Sequence, residues 1–185
     1  MNCGRGGRAP GGSRLFALFL GLLATTGAWA EPQPRVAALM QYMDGVHPCL
    51  AVSRTRAAAE VCIGQGSAAC MEAEPGGYST QGLMFCVLAE TEAWDRLLNA
   101  EYMRARVAAQ ALDAAESARF PEFATRAESL LAAQRAWIAF RDADCALARA
   151  EGGAGTVRMT FASSCRLQMT AERTIDLKFL LADGP

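Results

Sequence analysis

TQGLMFCVLAETEAWDRLLNAEYMRARVAAQALDAA, residues 80–115, carries the longest helical pattern in this chain. Apolar residues recur along it at intervals of three and four, the spacing of one face of an α-helix. The stripe comprises Met84, Val87, Thr91, Trp94, Leu98, Ala105, Ala109 and Leu112, with Tyr102 beside it. Thr80 can cap the first turn. Because a helix of this length is stabilised chiefly by packing its apolar face, the pattern predicts the central helix of an all-α bundle.

The same periodicity continues toward the C-terminus and predicts two more long helices. One should have Pro121 in its first turn and extend to about residue 150. Its inward side chains would be Leu130, Ala133, Trp137, Phe140 and Cys145. The last helix is expected over residues 161–182, with Leu167, Met169, Ile175, Leu177 and Leu180 inward. The first two long helices should then run antiparallel, and the C-terminal helix should close the bundle.

On the N-terminal side, shorter helical patterns predict a cysteine-rich helical cap. Helices are expected over residues 36–46 and 50–62. Several glycines and a proline interrupt the pattern after that, so residues 63–79 are predicted to be mostly loop. The expected organisation is a cap over residues 31–80 and a helical domain over residues 81–185, packed as one globular unit.

Residues 1–30 have the pattern of a secretory signal peptide. Arg5, Arg8 and Arg14 precede an apolar run at residues 15–28, and the small residues of A-W-A at 28–30 form a cleavage site. The apolar run is too short to cross a hydrocarbon core of about 30 Å. We expect cleavage before Glu31, release to the periplasm or the medium, and no membrane span in the chain that remains.

Loss of this segment leaves 15 basic and 19 acidic residues, a net charge of −4. A mildly acidic chain is a poor candidate for binding nucleic acid, because phosphates require a basic surface. Such a charge can attract a cationic protein, although it is also ordinary for a soluble domain.

Six cysteines remain after the predicted cleavage: Cys49, Cys62, Cys70, Cys86, Cys145 and Cys165. An even number in an exported chain indicates disulfides formed in an oxidising compartment. Cys145 and Cys165 flank a glycine-rich turn between predicted helices, and their bond would close a loop of about 20 residues. Of the connectivities that the other four allow, we expect Cys62–Cys70 and Cys49–Cys86. The spacings contain no C-x-x-C, and His47 is the single histidine, so neither a metal site nor a cofactor is predicted.

Three motifs follow one another along the predicted bundle. The first, directly after Trp94, is D-x-x-L-N-x-x-Y, formed by Asp95, Leu98, Asn99 and Tyr102. The second runs from A-Q-R-A-W at residues 133–137 to R-D-x-x-C at residues 141–145 and includes Gln134, Trp137, Arg141 and Asp142. The third combines Gly152 and Gly153 with Cys165, Thr170 and Arg173. In this order, over residues 86–177, they resemble the lysozyme inhibitor LprI-like domain family of exported bacterial proteins.

The resemblance implies a helical domain and, from the family's name-giving member, inhibition of lysozyme. We therefore expect an exported binding protein that occludes the cleft of a lysozyme-type muramidase, with a cationic lysozyme as its protein partner. The alternative is a periplasmic structural or interaction module that binds an envelope protein or a cell-wall fragment. An enzyme is not expected, because no G-x-S-x-G, phosphate-binding loop or H-E-x-x-H motif is present.

Two glycine-rich segments are the candidate contacts with such a partner. The first contributes Glu72, Glu74, Gly76, Gly77 and Tyr78, and the second contributes Gly152 and Gly153. Acidic residues near an inserted segment would speed encounter with a cationic enzyme. The competing interpretation is that both segments only connect helices.

The polar motif residues have a structural and a ligand-binding interpretation. Asn99, Tyr102, Gln134, Arg141, Asp142 and Arg173 are expected where long helices face one another. Buried polar groups need partners, and a satisfied network can set the register of packed helices. We favour that structural role over ligand binding. Adjacent residues point to different sides of a helix, so Arg141 and Asp142 are not assumed to pair with each other.

Overall fold

The computed structural model describes residues 33–180 and is entirely helical in its regular elements. The short elements are α1 (Pro34–Leu39), a 3-10 turn (Met40–Tyr42), α2 (Val46–Val52), α3 (Arg56–Glu60) and α4 (Gln65–Ala73). The long ones are α5 (Thr80–Ser117), α6 (Arg126–Glu151) and α7 (Val157–Phe179), with a 3-10 turn (Pro121–Phe123) before α6. The all-α prediction is confirmed. The predicted signal peptide lies outside the described residues.

Helix α5 is the central element, and both other long helices pack along it. Trp94 in its middle is fully buried, and its backbone carbonyl accepts a 3.4 Å hydrogen bond from the Thr174 hydroxyl of α7. Ten residues further along, Arg104 donates to the carbonyl oxygen of Lys178 at 2.9 Å. These two contacts show that α7 runs parallel to α5. Helix α6, which connects them in the chain, runs antiparallel to both. Among the described residues, no helix combines the length and apolarity needed to span a bilayer.

The prediction of one helix over residues 50–62 was wrong. Helix α2 ends at Val52, and α3 begins at Arg56 after Thr55, whose side chain accepts the amide hydrogen of Ala58 at 3.2 Å. A continuous helix would hold Cys49 and Cys62 about 20 Å apart. Their disulfide instead brings the Cα atoms to 5.8 Å, which requires the chain to turn between them.

The prediction of a loop over residues 63–79 was wrong for its first half, where α4 lies. The helix begins after Gly64, whose φ of 89° is in the left-handed region that favours glycine. Its first amide groups donate to the buried carboxylate of Glu90 on α5. The helix-start signal for α4 is therefore a side chain about 25 residues away, which local sequence rules do not include.

Two of the three expected disulfides also differ. The expected Cys145–Cys165 bond is present, with Cα atoms 5.4 Å apart. The other bonds join Cys49 to Cys62 and Cys70 to Cys86, so the expected pairs Cys62–Cys70 and Cys49–Cys86 were wrong. The difference follows from the packing of α4 on α5, which brings Cys70 to Cys86. Cys62 then pairs with Cys49 of α2.

Several boundary and burial predictions also need correction. Ser79 rather than Thr80 caps α5, and Pro121 lies in the 3-10 turn before α6 rather than in the first turn of the long helix. Phe140 is 61% exposed, and Ala133, Leu112 and Leu180 are also exposed. The inward face of α6 is set by Leu130, Gln134 and Cys145, and Phe140 lies about 120° around the helix from Gln134.

Candidate functional site

The two glycine-rich segments lie at the same end of the bundle. We call residues 72–78, the last two residues of α4 and the turn after it, the first loop. We call residues 151–155, the last residue of α6 and the turn after it, the second loop. The first leads directly into α5, and the second connects α6 to α7. Thr80, Gln81 and Met84 of α5 line a surface cavity of about 340 Å³ together with Ala154 and Gly155 of the second loop. The first loop packs against Gly82, also in the first turn of α5, so both predicted contact segments lie beside the start of this helix.

Glycine is required at the turn of the first loop by close backbone packing. A Cβ atom on Gly77 would lie 2.2 Å from the carbonyl oxygen of Met71, far inside van der Waals contact. Gly76 has a φ of 74°, which L side chains rarely adopt. The Ser79 hydroxyl then accepts the amide hydrogen of Gly82 at 3.0 Å, which caps α5. This part of the loop therefore has one defined conformation.

One acidic side chain of the first loop attaches the loop to the rest of the protein, and the other acidic side chain forms an exposed pair with the tyrosine. Glu74 accepts hydrogen bonds from Arg35 at 2.8 Å and from the Tyr42 hydroxyl at 2.9 Å, so it holds the loop to the N-terminal helices. The Tyr78 hydroxyl donates to Glu72 at 2.8 Å, and this bond raises the pKa of Tyr78. The Tyr78 side chain is 67% exposed, so Glu72 and Tyr78 are the pair available to a partner.

The second loop is held by glycine packing and by a disulfide. A Cβ atom on Gly152 would lie 2.5 Å from the Cα atom of Arg158, and Gly153 has a φ of 53°. The Cys145–Cys165 bond joins α6 to α7 beside this loop. Close packing against α7 therefore explains Gly152, and the left-handed backbone conformation explains Gly153, independently of any binding role.

Residues of the first polar motif make contacts within α5 and with the apolar core, rather than polar contacts across a seam between helices. Trp94 donates its indole hydrogen to the buried Glu90 at 3.0 Å. Asn99 is exposed and donates to Asp95 of its own helix, rather than to a neighbouring one. Tyr102 packs against the apolar cluster that α5 forms with α6 and α7.

The later motif residues meet between α6 and α7. Arg173 donates to the side-chain oxygen of Gln134 at 3.0 Å, across the expected seam between the two helices. The Trp137 ring lies near two guanidinium groups, 5.0 Å from that of Arg141 and 5.9 Å from that of Arg173. Such cation–π contacts hold the arginines in defined positions.

Asp142 connects two arginines of this cluster. It accepts hydrogen bonds from Arg141 at 2.9 Å and from Arg166 at 2.8 Å, so Arg141 and Asp142 do pair although they are adjacent in sequence. Partial burial raises the pKa of Asp142, but its bonds to the two arginines outweigh that effect and lower the pKa overall. Asp142 is therefore ionised at neutral pH.

A groove beside this cluster was not anticipated from the sequence. We call it the charged groove: a surface cavity of about 310 Å³ bordered by α1, α5, α6 and α7. It is lined by Gln33, Val36, Leu88, Thr91, Glu92, Asp95, Arg141 and Arg166. Asp95 and Arg141 were predicted as motif residues, whereas the other six were missed. Arg166 directly follows the motif residue Cys165, which is the one sequence signal that pointed toward it.

Comparison with known protein families accounts for these motifs. Residues 70–177 match the family described as lysozyme inhibitor LprI. The chain belongs to the LprI family. The match extends over more than half of the sequence, and it includes the first loop, the second loop and the arginine cluster around Trp137. LprI is an inhibitor family rather than an enzyme family, which is compatible with the expectation of a binding protein.

One curated relative of this LprI protein is an uncharacterized protein of Rhizobium meliloti (strain 1021). The two are 35% identical over 103 residues, which is 56% of this chain and 74% of the relative. No solved structure matches the chain. Together with three disulfides, LprI membership favours a location outside the cytoplasm.

Proposed function

We propose that this protein is an exported, lysozyme-inhibitor-like binding protein that occludes the cleft of a lysozyme-type muramidase. LprI membership supports this function. The observation that carries it is the position of the two loops at one end of the bundle: the first packs against Gly82 in the first turn of α5, and the second lines a cavity with Thr80 and Gln81 of the same turn. Signal cleavage before Glu31 would deliver the protein to the periplasm or the medium.

A protein can occlude the cleft of an enzyme by its shape, without reacting with the catalytic groups. A lysozyme cleaves its substrate with two carboxyl groups in a cleft, one acting as acid and the other as nucleophile or stabiliser. An inhibitor therefore only needs a segment that enters the cleft and keeps its conformation. The first loop suits this role because Gly77 packs against Met71 and Glu74 is bonded to Arg35 and Tyr42. A loop already in its bound conformation loses less entropy on association.

Glu72 and Tyr78 supply the chemistry of the proposed contact. Exposed tyrosines often contribute strongly to binding energy at interfaces, because one rigid ring offers both apolar surface and a hydrogen-bonding group. The Glu72 carboxylate lies 2.8 Å from the Tyr78 hydroxyl and adds negative charge at the same place. Negative charge at the contact would accelerate association with a cationic lysozyme in a salt-dependent manner.

A cell-wall clearing assay tests this function. The oxidised protein processed at Glu31 is titrated against a chicken-type lysozyme at two salt concentrations. We expect stoichiometric inhibition that weakens at the higher salt concentration, because salt screens exposed charges. Folded protein that leaves clearing unchanged would reject inhibition of this enzyme. Binding to lysozyme without inhibition, or to wall fragments alone, would favour an envelope interaction module instead.

A matched pair of variants tests the contact itself. The double variant Glu72→Gln/Tyr78→Ala should inhibit at least about tenfold more weakly. The control is Glu122→Gln/Phe123→Ala, an exposed acidic and aromatic pair beyond the other end of α5, a helix about 57 Å long. Both variants should unfold at similar temperatures. Equal inhibition by the two variants would remove the first loop from the proposed contact.

A further inference from the structure

We propose that the charged groove binds a zwitterionic ligand, one carrying both a carboxylate and an ammonium group, such as a short peptide with free ends. None of the residues that line the groove belongs to the proposed lysozyme contact. The wall formed by α5 carries acidic residues, and the wall formed by α6 and α7 carries arginines.

The positive wall comes from Arg141 of α6 and Arg166 of α7. Both donate to the same oxygen of Asp142, so two positive charges share one negative charge and leave a net charge of +1. Each guanidinium has five N–H donors, and Asp142 occupies only some of them. The remaining donors can bind a carboxylate, the partner that this planar group recognises best.

Arg141 is held in place before any ligand arrives. Its side chain is only 13% exposed, and its guanidinium carbon lies 5.0 Å from the centre of the Trp137 ring. A long side chain normally loses rotamer freedom when it binds a ligand, and prior packing reduces that cost. Arg166 is 46% exposed and adds a second, more accessible donor group at the rim of the groove.

The negative wall comes from Glu92 and Asp95, one turn apart on α5. Glu92 accepts a 3.2 Å hydrogen bond from Arg96 of its own helix, which offsets its charge. Asp95 accepts a hydrogen bond from the neutral amide of Asn99 and keeps its full charge. Within residues 33–180, no ion pair joins either acid to Arg141 or Arg166. The acids of α5 and the arginines of α6 and α7 therefore line the same groove without pairing with one another.

This arrangement selects for a ligand with both charges. A simple anion would bind the arginines but would lie near the carboxylates, and a simple cation would meet the reverse problem. A zwitterion satisfies both walls. Val36 and Leu88 line the same groove and provide an apolar surface for the ligand's body. The volume of about 310 Å³ is at the lower end for small-molecule sites.

Calorimetric titration with three dipeptides tests the proposal. The probes are alanylalanine with free ends, its N-acetyl derivative, and its C-terminal amide. We expect the free dipeptide to bind at least about tenfold more tightly than either blocked form. Comparison of the L,L and D,D stereoisomers distinguishes a protein-derived peptide from one carrying D-residues. Failure of the free dipeptide to bind at about 10 mM, or equal binding of all three probes, would overturn the proposal.

Two substitutions assign the ends of the ligand. In Arg166→Gln, the free dipeptide should bind no better than the amide, because the carboxylate has lost its partner. In Asp95→Asn, the free dipeptide should bind no better than the N-acetyl form. Arg135→Gln, on the exposed side of α6, is the matched control and should retain wild-type selectivity. If both groove variants also retain wild-type selectivity, the site lies elsewhere and the proposal fails. Clearing assays on the same variants separate this result from the lysozyme proposal.

Discussion

Glu90 shows how a single buried carboxylate can determine local structure. It is fully buried and accepts hydrogen bonds from the backbone amides of Gly64 and Ser67, each at 2.7 Å, and from the Trp94 indole at 3.0 Å. The positive end of the α4 dipole also favours a negative charge at this position. These contacts compensate the cost of burying the carboxylate and attach α4 to the central helix.

Replacing Glu90 should therefore be costly. We expect Glu90→Ala to lower the free energy of unfolding by about 3 kcal/mol or more, because three donors, two of them in buried hydrogen bonds, lose their acceptor. The control is Glu101→Ala on the same helix, which removes a surface ion pair with Arg104 and should cost about 0–1 kcal/mol. Urea unfolding measures both. A Glu90→Ala variant as stable as the control would show that α4 does not depend on this carboxylate.

Gly77 and Gly45 offer a second comparison at the residue scale. In Gly77→Ala, the new Cβ atom would meet the Met71 carbonyl at 2.2 Å, so the loop must move at a cost of about 1–3 kcal/mol. Nothing lies within 4 Å of a Cβ on Gly45, whose φ is −76°. Gly45→Ala should therefore stabilise the protein by about 0.4–1 kcal/mol. Thermal unfolding should shift in opposite directions for the two variants, and a shift in the same direction would contradict this.

At the scale of elements, the start of α6 is set by a carboxylate of α5. Asp113 accepts hydrogen bonds from the backbone amides of Arg126 at 3.0 Å and Ala127 at 2.8 Å. Arg126 also bonds to Glu116 at 2.5 Å. Because these bonds satisfy the first amides of α6, the helix begins five residues after Pro121.

This arrangement predicts a pH dependence of stability. The hydrogen bond from Ala127, followed by those from Arg126, lowers the pKa of Asp113 below its ordinary value of 3.8. A carboxyl group whose pKa is lowered by folding stabilises the protein above the unfolded pKa, and this contribution is lost as the pH falls through the folded pKa. Asp113→Asn should thus be less stable than wild type at pH 7, and the difference should shrink below about pH 4.

Urea unfolding of wild type and Asp113→Asn between pH 7 and pH 2 measures this difference. Asp44→Asn, at an exposed position, is the control and should follow wild type throughout. A gap between Asp113→Asn and wild type that stays constant with pH would show that ionisation of Asp113 does not contribute.

At the scale of the whole molecule, each disulfide joins elements that are neighbours along the chain. Cys49–Cys62 ties α2 to the turn after α3, Cys70–Cys86 ties α4 to α5, and Cys145–Cys165 ties α6 to α7. Two of the three lie in or attach the N-terminal cap, whose helices span only five to nine residues. Helices this short are not stable on their own.

Reduction should therefore loosen the cap before the bundle. Each disulfide contributes about 2–4 kcal/mol, so the reduced protein should unfold at a clearly lower temperature than the oxidised one. Native-state hydrogen exchange under reducing conditions should show loss of protection in α2–α4 while α5 and α7 stay protected. The outcome that contradicts this is a uniform loss of protection along the chain.

The sequence by itself determined what depends on local pattern. The 3- and 4-residue spacing around Trp94 predicted α5 almost to its ends, because a long apolar stripe has one stable conformation and must be buried. The Cys145–Cys165 bond was predictable because both cysteines flank one short turn. The motifs identified the family for a similar reason: their residues keep a fixed order and spacing along three helices.

Tertiary structure alone decided the features that join distant residues. Helix α4 begins where the amides of Gly64 and Ser67 bond to Glu90, more than 20 residues away in sequence. The Cys70–Cys86 bond joins this helix to α5. The exposure of Phe140 depends on which face of α6 meets its neighbours. The charged groove forms only where α5, α6 and α7 bring Asp95, Arg141 and Arg166 to one surface. Periodicity along a chain specifies which residues share a helix face, but only packing specifies which faces meet.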